Sequence, residues 1–199
     1  MNINAQMVKE LRKKTSAGMM DCKNALKATE GDLEKAIEYL RKKGMDAAAS
    51  KFNRQALSGK VESYIHLYGK IGVLVEINCE TDFVANTKEF KEFVKDIAMQ
   101  ITASNPKFIS REDVPNGIIE KEKEIFYAQV EKSGKPAPVI EKIVEGKLLK
   151  YFKENCLKEQ IFIKDNGKNI NQLLLELITK LGENIVIKRF ARFQLGEEI

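Results

Sequence analysis

The 199-residue chain is 43% hydrophobic and 32% charged, which fits a folded, highly charged globular protein of one or two domains and excludes fibrous and low-complexity classes. Its 34 basic and 29 acidic residues leave a net charge of +5, well mixed along the chain, a balance that permits a nucleic-acid partner without requiring one. No apolar run approaches the roughly 18 residues of a membrane span, and the start MNINAQMVKELRKKTSAG has neither a signal core nor a transit-peptide composition, so a cytoplasmic protein is expected.

From Gln6 to Arg41 the apolar spacing predicts three short helices. Ala5, Val8 and Leu11 share a face of the first, Met19, Cys22 and Leu26 of the second, and Leu33, Ile37 and Leu40 of the third. Breaks fall at Ser16-Ala17-Gly18 and at Glu30-Gly31-Asp32, where Asp32 can cap the next helix. Met19 and Met20 are adjacent, so one is expected inside and the other outside; the exposed one is either incidental or a deformable contact for a partner. The segment KKGMDAAASKFNRQALSG reads as a helical linker, and the chain divides into residues 1–54 and 55–199.

Beyond Gly59 the period switches to two. Val61, Ser63, Ile65 and Leu67 alternate with polar residues, Tyr68-Gly69-Lys70 reverses the chain, and Ile71, Val73, Val75, Ile77 and Cys79 alternate again, which is a β-hairpin. NCETDFVANTKEF follows, a polar turn interrupted by an aromatic ring. An amphipathic helix begins at about Lys88, with Phe90, Phe93, Val94, Ile97 and Ile101 on its apolar stripe. Asn86, with Glu89 three residues on, offers that helix a capping box, which leaves Asp82 and Phe83 surplus to local structure. The bland alternative is that Asp82 helps cap the helix while Phe83 folds back onto Phe90 or Phe93.

After a loop come two tightly joined helices, from about Ile118 to Lys132 and from KPAPVIEK onward, with Ser133-Gly134 between them. A short strand near 160–163, a turn at Asp165-Asn166-Gly167 and a helix from Ile170 to Leu181, closed by Gly182, complete the middle. The closing strand ENIVIKRFARFQLG puts Ile185, Ile187 and Phe193 on one parity and Val186, Lys188, Phe190 and Arg192 on the other. The segment Lys188 to Arg192 is either a strand with one wet face or a surface for single-stranded RNA. The class is α+β: helices, then a small antiparallel sheet covered by helices.

Catalytic chemistry finds no footing. His66 is the sole histidine and lies in an alternating strand, where a structural or surface role is expected. Cys22, Cys79 and Cys156 form neither a disulfide framework nor a zinc pattern, and no glycine-rich phosphate loop or carboxylate cluster is present. A binding protein without cofactor or metal is expected, not an enzyme.

Three segments, VKELRKKTSAGMMDCKNAL, GVLVEINCETDFVANTKEF and GENIVIKRFARF, together resemble the elongation factor Ts family, the guanine-nucleotide exchange factors of elongation factor Tu. The resemblance spans essentially the whole chain. It implies a UBA-like three-helix N-terminal domain and an α+β core in the short form, which in the family works as a homodimer. It implies that Leu11, Gly18, Met19, Met20, Asp21 and Lys23 bind the G domain of elongation factor Tu, in its GDP-bound and nucleotide-free forms. Thr81, Asp82, Phe83 and Val84 would dislodge that partner's Mg²⁺. No membrane and no direct nucleic-acid contact are implied. Where the family has Thr-Gly-Ala-Gly, this chain has Thr15-Ser16-Ala17-Gly18, and serine tolerates a positive φ poorly. The rival readings from the residues alone are an RNA- or ribosome-associated accessory protein and a module that only holds a partner helix.

Overall fold

A computed structural model describes residues 3–15, 17–131 and 136–197. Ser16, Lys132, Ser133 and Gly134, singled out above, lie outside the described residues. The chain is α+β. Three helices, α1 (Ala5–Thr15), α2 (Met19–Ala28) and α3 (Leu33–Ala49), precede a hairpin of β1 (Ser58–His66) and β2 (Ile71–Cys79). A four-residue helix α4 (Asp82–Ala85) and the long α5 (Lys88–Ser104) follow. Then come α6 (Asn116–Glu131), α7 (Ala137–Asn155), β3 (Ile161–Phe162), β4 (Asp165–Asn169), α8 (Ile170–Leu181) and β5 (Val186–Gln194). β2 is the middle strand of the sheet β1-β2-β5, while β3 and β4 form a separate antiparallel pair.

The backbone gathers into two units. One draws on Met1–Gly59, Asn78–Phe90 and Leu174–Val186; the other on Lys60–Ile77, Lys91–Leu173 and Ile187–Ile199. In the first, Leu11, Cys22, Ala25, Leu26 and Ala36 form the closed centre of the three-helix bundle, ringed by Met7, Val8, Leu33, Ile37 and Leu40. Helix α3 starts on Asp32, whose Oδ1 accepts the N–H groups of Glu34 and Lys35, each at 3.0 Å. Towards its other end the Gly44 carbonyl accepts the Thr179 hydroxyl of α8 at 3.1 Å.

In the second unit the hairpin turn runs through Leu67, Tyr68 and Gly69, all at positive φ. Val73, Val75 and Ile77 of β2 are buried, whereas Leu74 is exposed, as are Val61 and Ile65 of β1. This side of the sheet is therefore apolar and open. His66 stays at the surface, its Nδ1 within 3.1 Å of the Tyr64 hydroxyl. Two carboxamides, Gln100 and Gln160, are buried and bonded to each other at 3.2 Å; Gln100 also accepts the Ile163 N–H, which ties the β3–β4 turn to α5.

Four local expectations change. The turn between β3 and β4 falls at Ile163-Lys164, and Asp165-Asn166-Gly167 belong to β4, because Phe162 pairs with Asp165. Helix α5 is capped by Thr87, whose Oγ1 accepts the Phe90 N–H at 3.3 Å; the Asn86 side chain instead donates to the Asp82 carbonyl. Burial along β5 does not follow simple alternation: Ile187 is buried and Phe193 exposed, while Arg192 is almost wholly covered and bonds Gln194 and Glu197. Neither methionine of the pair packs inside: Met19 is 61% and Met20 64% exposed, and the core of α2 begins at Cys22.

Candidate functional site

The turn Thr81-Asp82-Phe83-Val84 lies within one segment of the first unit, Asn78–Phe90. Thr81 is the N-cap of α4, its Oγ1 accepting the Val84 N–H at 3.4 Å, and its carbonyl closes the helix on the Ala85 N–H at 3.2 Å. Val84 and Ala85 are buried, which seats one side of the turn, and the Thr87 hydroxyl holds the Val84 carbonyl at 2.7 Å. Asp82 and Phe83 are thrown outward. Phe83 is 83% exposed, so the reading in which its ring folds back onto a neighbouring phenylalanine does not hold. With Asp82, Asn86 and Thr87 it borders a shallow open depression.

A large ring on a four-residue helix needs support from elsewhere, since one helical turn is not stable alone. The support comes from the corner after α8. Gly182, at φ +80°, ends that helix, its N–H bonded to the Ile178 carbonyl at 2.9 Å, and delivers Glu183 and Asn184 to the turn. Glu183 Oε2 accepts the N–H groups of Glu80 (3.1 Å) and Thr81 (3.0 Å), and its Oε1 accepts the Thr81 hydroxyl (2.7 Å). In return the Asn184 N–H donates to Glu80 Oε1 at 2.6 Å. The buried Asn184 amide donates to the carbonyls of Phe52 (3.3 Å) and Arg54 (2.8 Å), and the Arg54 guanidinium lies 3.7 Å from Glu80. Behind the turn, burial and then the Glu183 carboxylate push the Cys79 thiol up to about 11.

The other predicted group sits at the start of α2. Gly18 is its N-cap and leaves room for Asp21, whose Oδ2 would be 3.0 Å from a Cβ on that glycine. Asp21 Oδ1 is also paired with Lys43 at 2.8 Å, which raises the lysine's pKa. Met19, Met20 and Lys23 project outward, whereas Leu11 has no exposed surface and can act on a partner only through the packing of α1 on α2. Sequence reasoning quoted the stretch GENI but missed what Glu183 and Asn184 do. Polar residues directly after a C′ glycine were the available signal, though no spacing rule connects them to residue 81.

Among the described residues no group of three or more histidine, cysteine or carboxylate side chains could hold a metal ion, and no helix is long and apolar enough to cross a membrane. The elongation factor Ts family model matches residues 1–197. The chain belongs to the elongation factor Ts family. It is 64% identical over 197 residues to elongation factor Ts of Caldanaerobacter subterraneus subsp. tengcongensis, covering 99% of this chain and 98% of that protein. Against the Carboxydothermus hydrogenoformans protein of the same name the identity is 63% over 195 residues, 98% and 90% of the two chains. Elongation factor Ts of Geobacter sulfurreducens is 56% identical over 197 residues, 99% and 91%. As a member of this family the chain is a translation elongation factor.

Proposed function

We propose that the chain is a guanine-nucleotide exchange factor that binds elongation factor Tu carrying GDP and promotes release of the nucleotide. Its action is allosteric and breaks no covalent bond: a partner that binds the nucleotide-free GTPase more tightly than the GDP form weakens GDP by the same factor. The observation that carries the reading is the exposed Phe83, displayed beside Asp82 on a turn that is clamped from behind. Burying such a ring in a pocket of the partner is worth roughly 1.5–3 kcal/mol. That could offset about one to two decades of nucleotide affinity, at about 1.4 kcal/mol per decade.

The target of this wedge is the partner's Mg²⁺. That ion demands near-octahedral geometry and is held by few protein ligands, so a small shift of its surroundings is costly to it and leaves the diphosphate poorly neutralised. The 1–54 unit, UBA-like in character, anchors on the partner's G domain through the start of α2, where Met19 and Met20 offer two adaptable apolar side chains. Residues 55–199 act as a dimerising core. The factor works in the cytoplasm, with no cofactor and no direct nucleic-acid contact.

Release of labelled GDP from purified elongation factor Tu tests this. The wild-type chain should accelerate release, added Mg²⁺ should oppose it, and Phe83→Ala should slow the stimulated rate tenfold or more with an unchanged circular dichroism spectrum. A Phe83→Ala protein that unfolds, yet exchanges normally in its folded fraction, would overturn the assignment.

A further inference from the structure

We infer that Glu183 is a positioning residue for nucleotide exchange: its carboxylate fixes the rotation of the turn that presents Asp82 and Phe83, without itself meeting the partner. The inference rests on the exchange reading of that turn. Burial of Val84 and Ala85 holds α4 down but does not by itself say at what angle it is held. The angle is set upstream, at the two peptide units entering the helix, and both of their N–H groups end on one Glu183 oxygen. The second oxygen takes the hydroxyl of the N-cap residue, so a planar group grips the entry at three points. Hydrogen bonds to an ionised acceptor are about twice as strong as neutral ones. Phe83 lies two residues beyond the grip, and a small rotation at Thr81 is carried out to its ring.

The location of the grip separates this role from a purely structural one. Glu183 is only partly covered and Thr81 is exposed, so water can take over the freed donors when the carboxylate is removed. Asn184 is different, because it is buried and holds two carbonyls of the linker; its loss would unsettle the fold. Removing Glu183 therefore loosens the wedge more than the unit around it.

The test compares Glu183→Ala, Glu183→Gln, Phe83→Ala and the double variant Glu183→Ala/Phe83→Ala as full chains, measuring GDP release from elongation factor Tu across a range of factor concentrations. Glu183→Ala should lower the maximal release rate about tenfold while the half-saturating concentration moves less than twofold, since the α2 surface is untouched. Glu183→Gln keeps an oxygen for the two N–H groups and should recover most of the rate. The double variant should be slower than Phe83→Ala by much less than the tenfold lost in Glu183→Ala alone, because most of what the glutamate positions is the ring already removed. A wild-type maximal rate in Glu183→Ala, a change in half-saturation alone, or losses that multiply in the double variant would each overturn the role. If Glu183→Ala does not fold, Thr81→Val removes the hydroxyl donor to Oε1, and a wild-type maximal rate there overturns it equally. The two readings fail separately: a fast Phe83→Ala strikes the exchange reading of the turn, whereas a slow Phe83→Ala beside a fast Glu183→Ala strikes the positioning role alone.

Discussion

The three cysteines of this chain, Cys22, Cys79 and Cys156, have no exposed surface, and burial pushes Cys79 and Cys156 each up to about 11. At pH 8 the thiolate fraction of either is then on the order of 10⁻³, and the reactive form is the thiolate. A thiol reagent should count three groups in denaturant but label the native protein far more slowly, and fast labelling of native protein would contradict the burial. The sign of the linkage also follows. A thiol whose folded value lies above the ordinary 9.0 favours the fold below pH 9, and that contribution is lost as pH rises toward 11. At this scale the sequence was partly legible. An aromatic ring in a polar turn marked Phe83 as unusual, although the reason given, a capping box at Asn86 and Glu89, is not the cap the structure uses. The sequence could not show which residue held the turn, because the holder is 102 positions away and no local pattern encodes it.

Helices were the most legible elements, because an apolar stripe at 3.6-residue spacing survives without knowledge of what it packs against. The start of α3 and the end of α8 follow from that stripe plus the Asp32 cap and Gly182. What escaped were the places where a side chain chose among near-equivalent partners: Thr87 over Asn86 as a cap, and Ile163-Lys164 over the more turn-like Asp165-Asn166-Gly167. There, tertiary bonds such as that from the Ile163 N–H to Gln100 decide against local preference. The Asp32 cap gives a pH prediction. Its carboxyl is held below the ordinary value of 3.8, first by the Lys35 N–H and with help from the Lys35 ammonium. A depressed folded value means the cap's contribution is present above pH 3.8 and lost as pH falls through the lower folded value. Asp32→Ala should therefore lower the thermal midpoint at pH 7, and the gap from wild type should close in strong acid. A gap that stays constant down to pH 2 would rule out the carboxylate as its source.

For the whole molecule the open side of the β1-β2-β5 sheet is the feature that matters. Val61, Ile65, Leu74 and Phe193 are all exposed, and Glu76 pairs with Arg189 at 2.6 Å in the same sheet. A second copy, apposed through this side across a two-fold axis, would bury the same residues on both chains. Light scattering should give about twice the 22.6 kDa chain mass, and Leu74→Glu should return the chain to a monomer. A wild-type monomer at micromolar concentration would refute the association. In the sequence the closing strand showed only its two parities and its bases; that Ile187 is buried while Phe193 is exposed needed the three-dimensional structure.

The segments that compose the first unit are far apart in the chain, and this has a consequence for how the protein is made. Thr81 leaves the ribosome long before Glu183, which lies 102 positions further along the chain. At typical elongation rates that interval is about 5–20 s. Throughout it the three N-terminal helices can already be formed, while the turn carrying Phe83 waits without its clasp. The turn that presents Phe83 is thus not locked when it is first made: it is completed only once the corner at Glu183 and Asn184, synthesised 102 positions later, closes onto it.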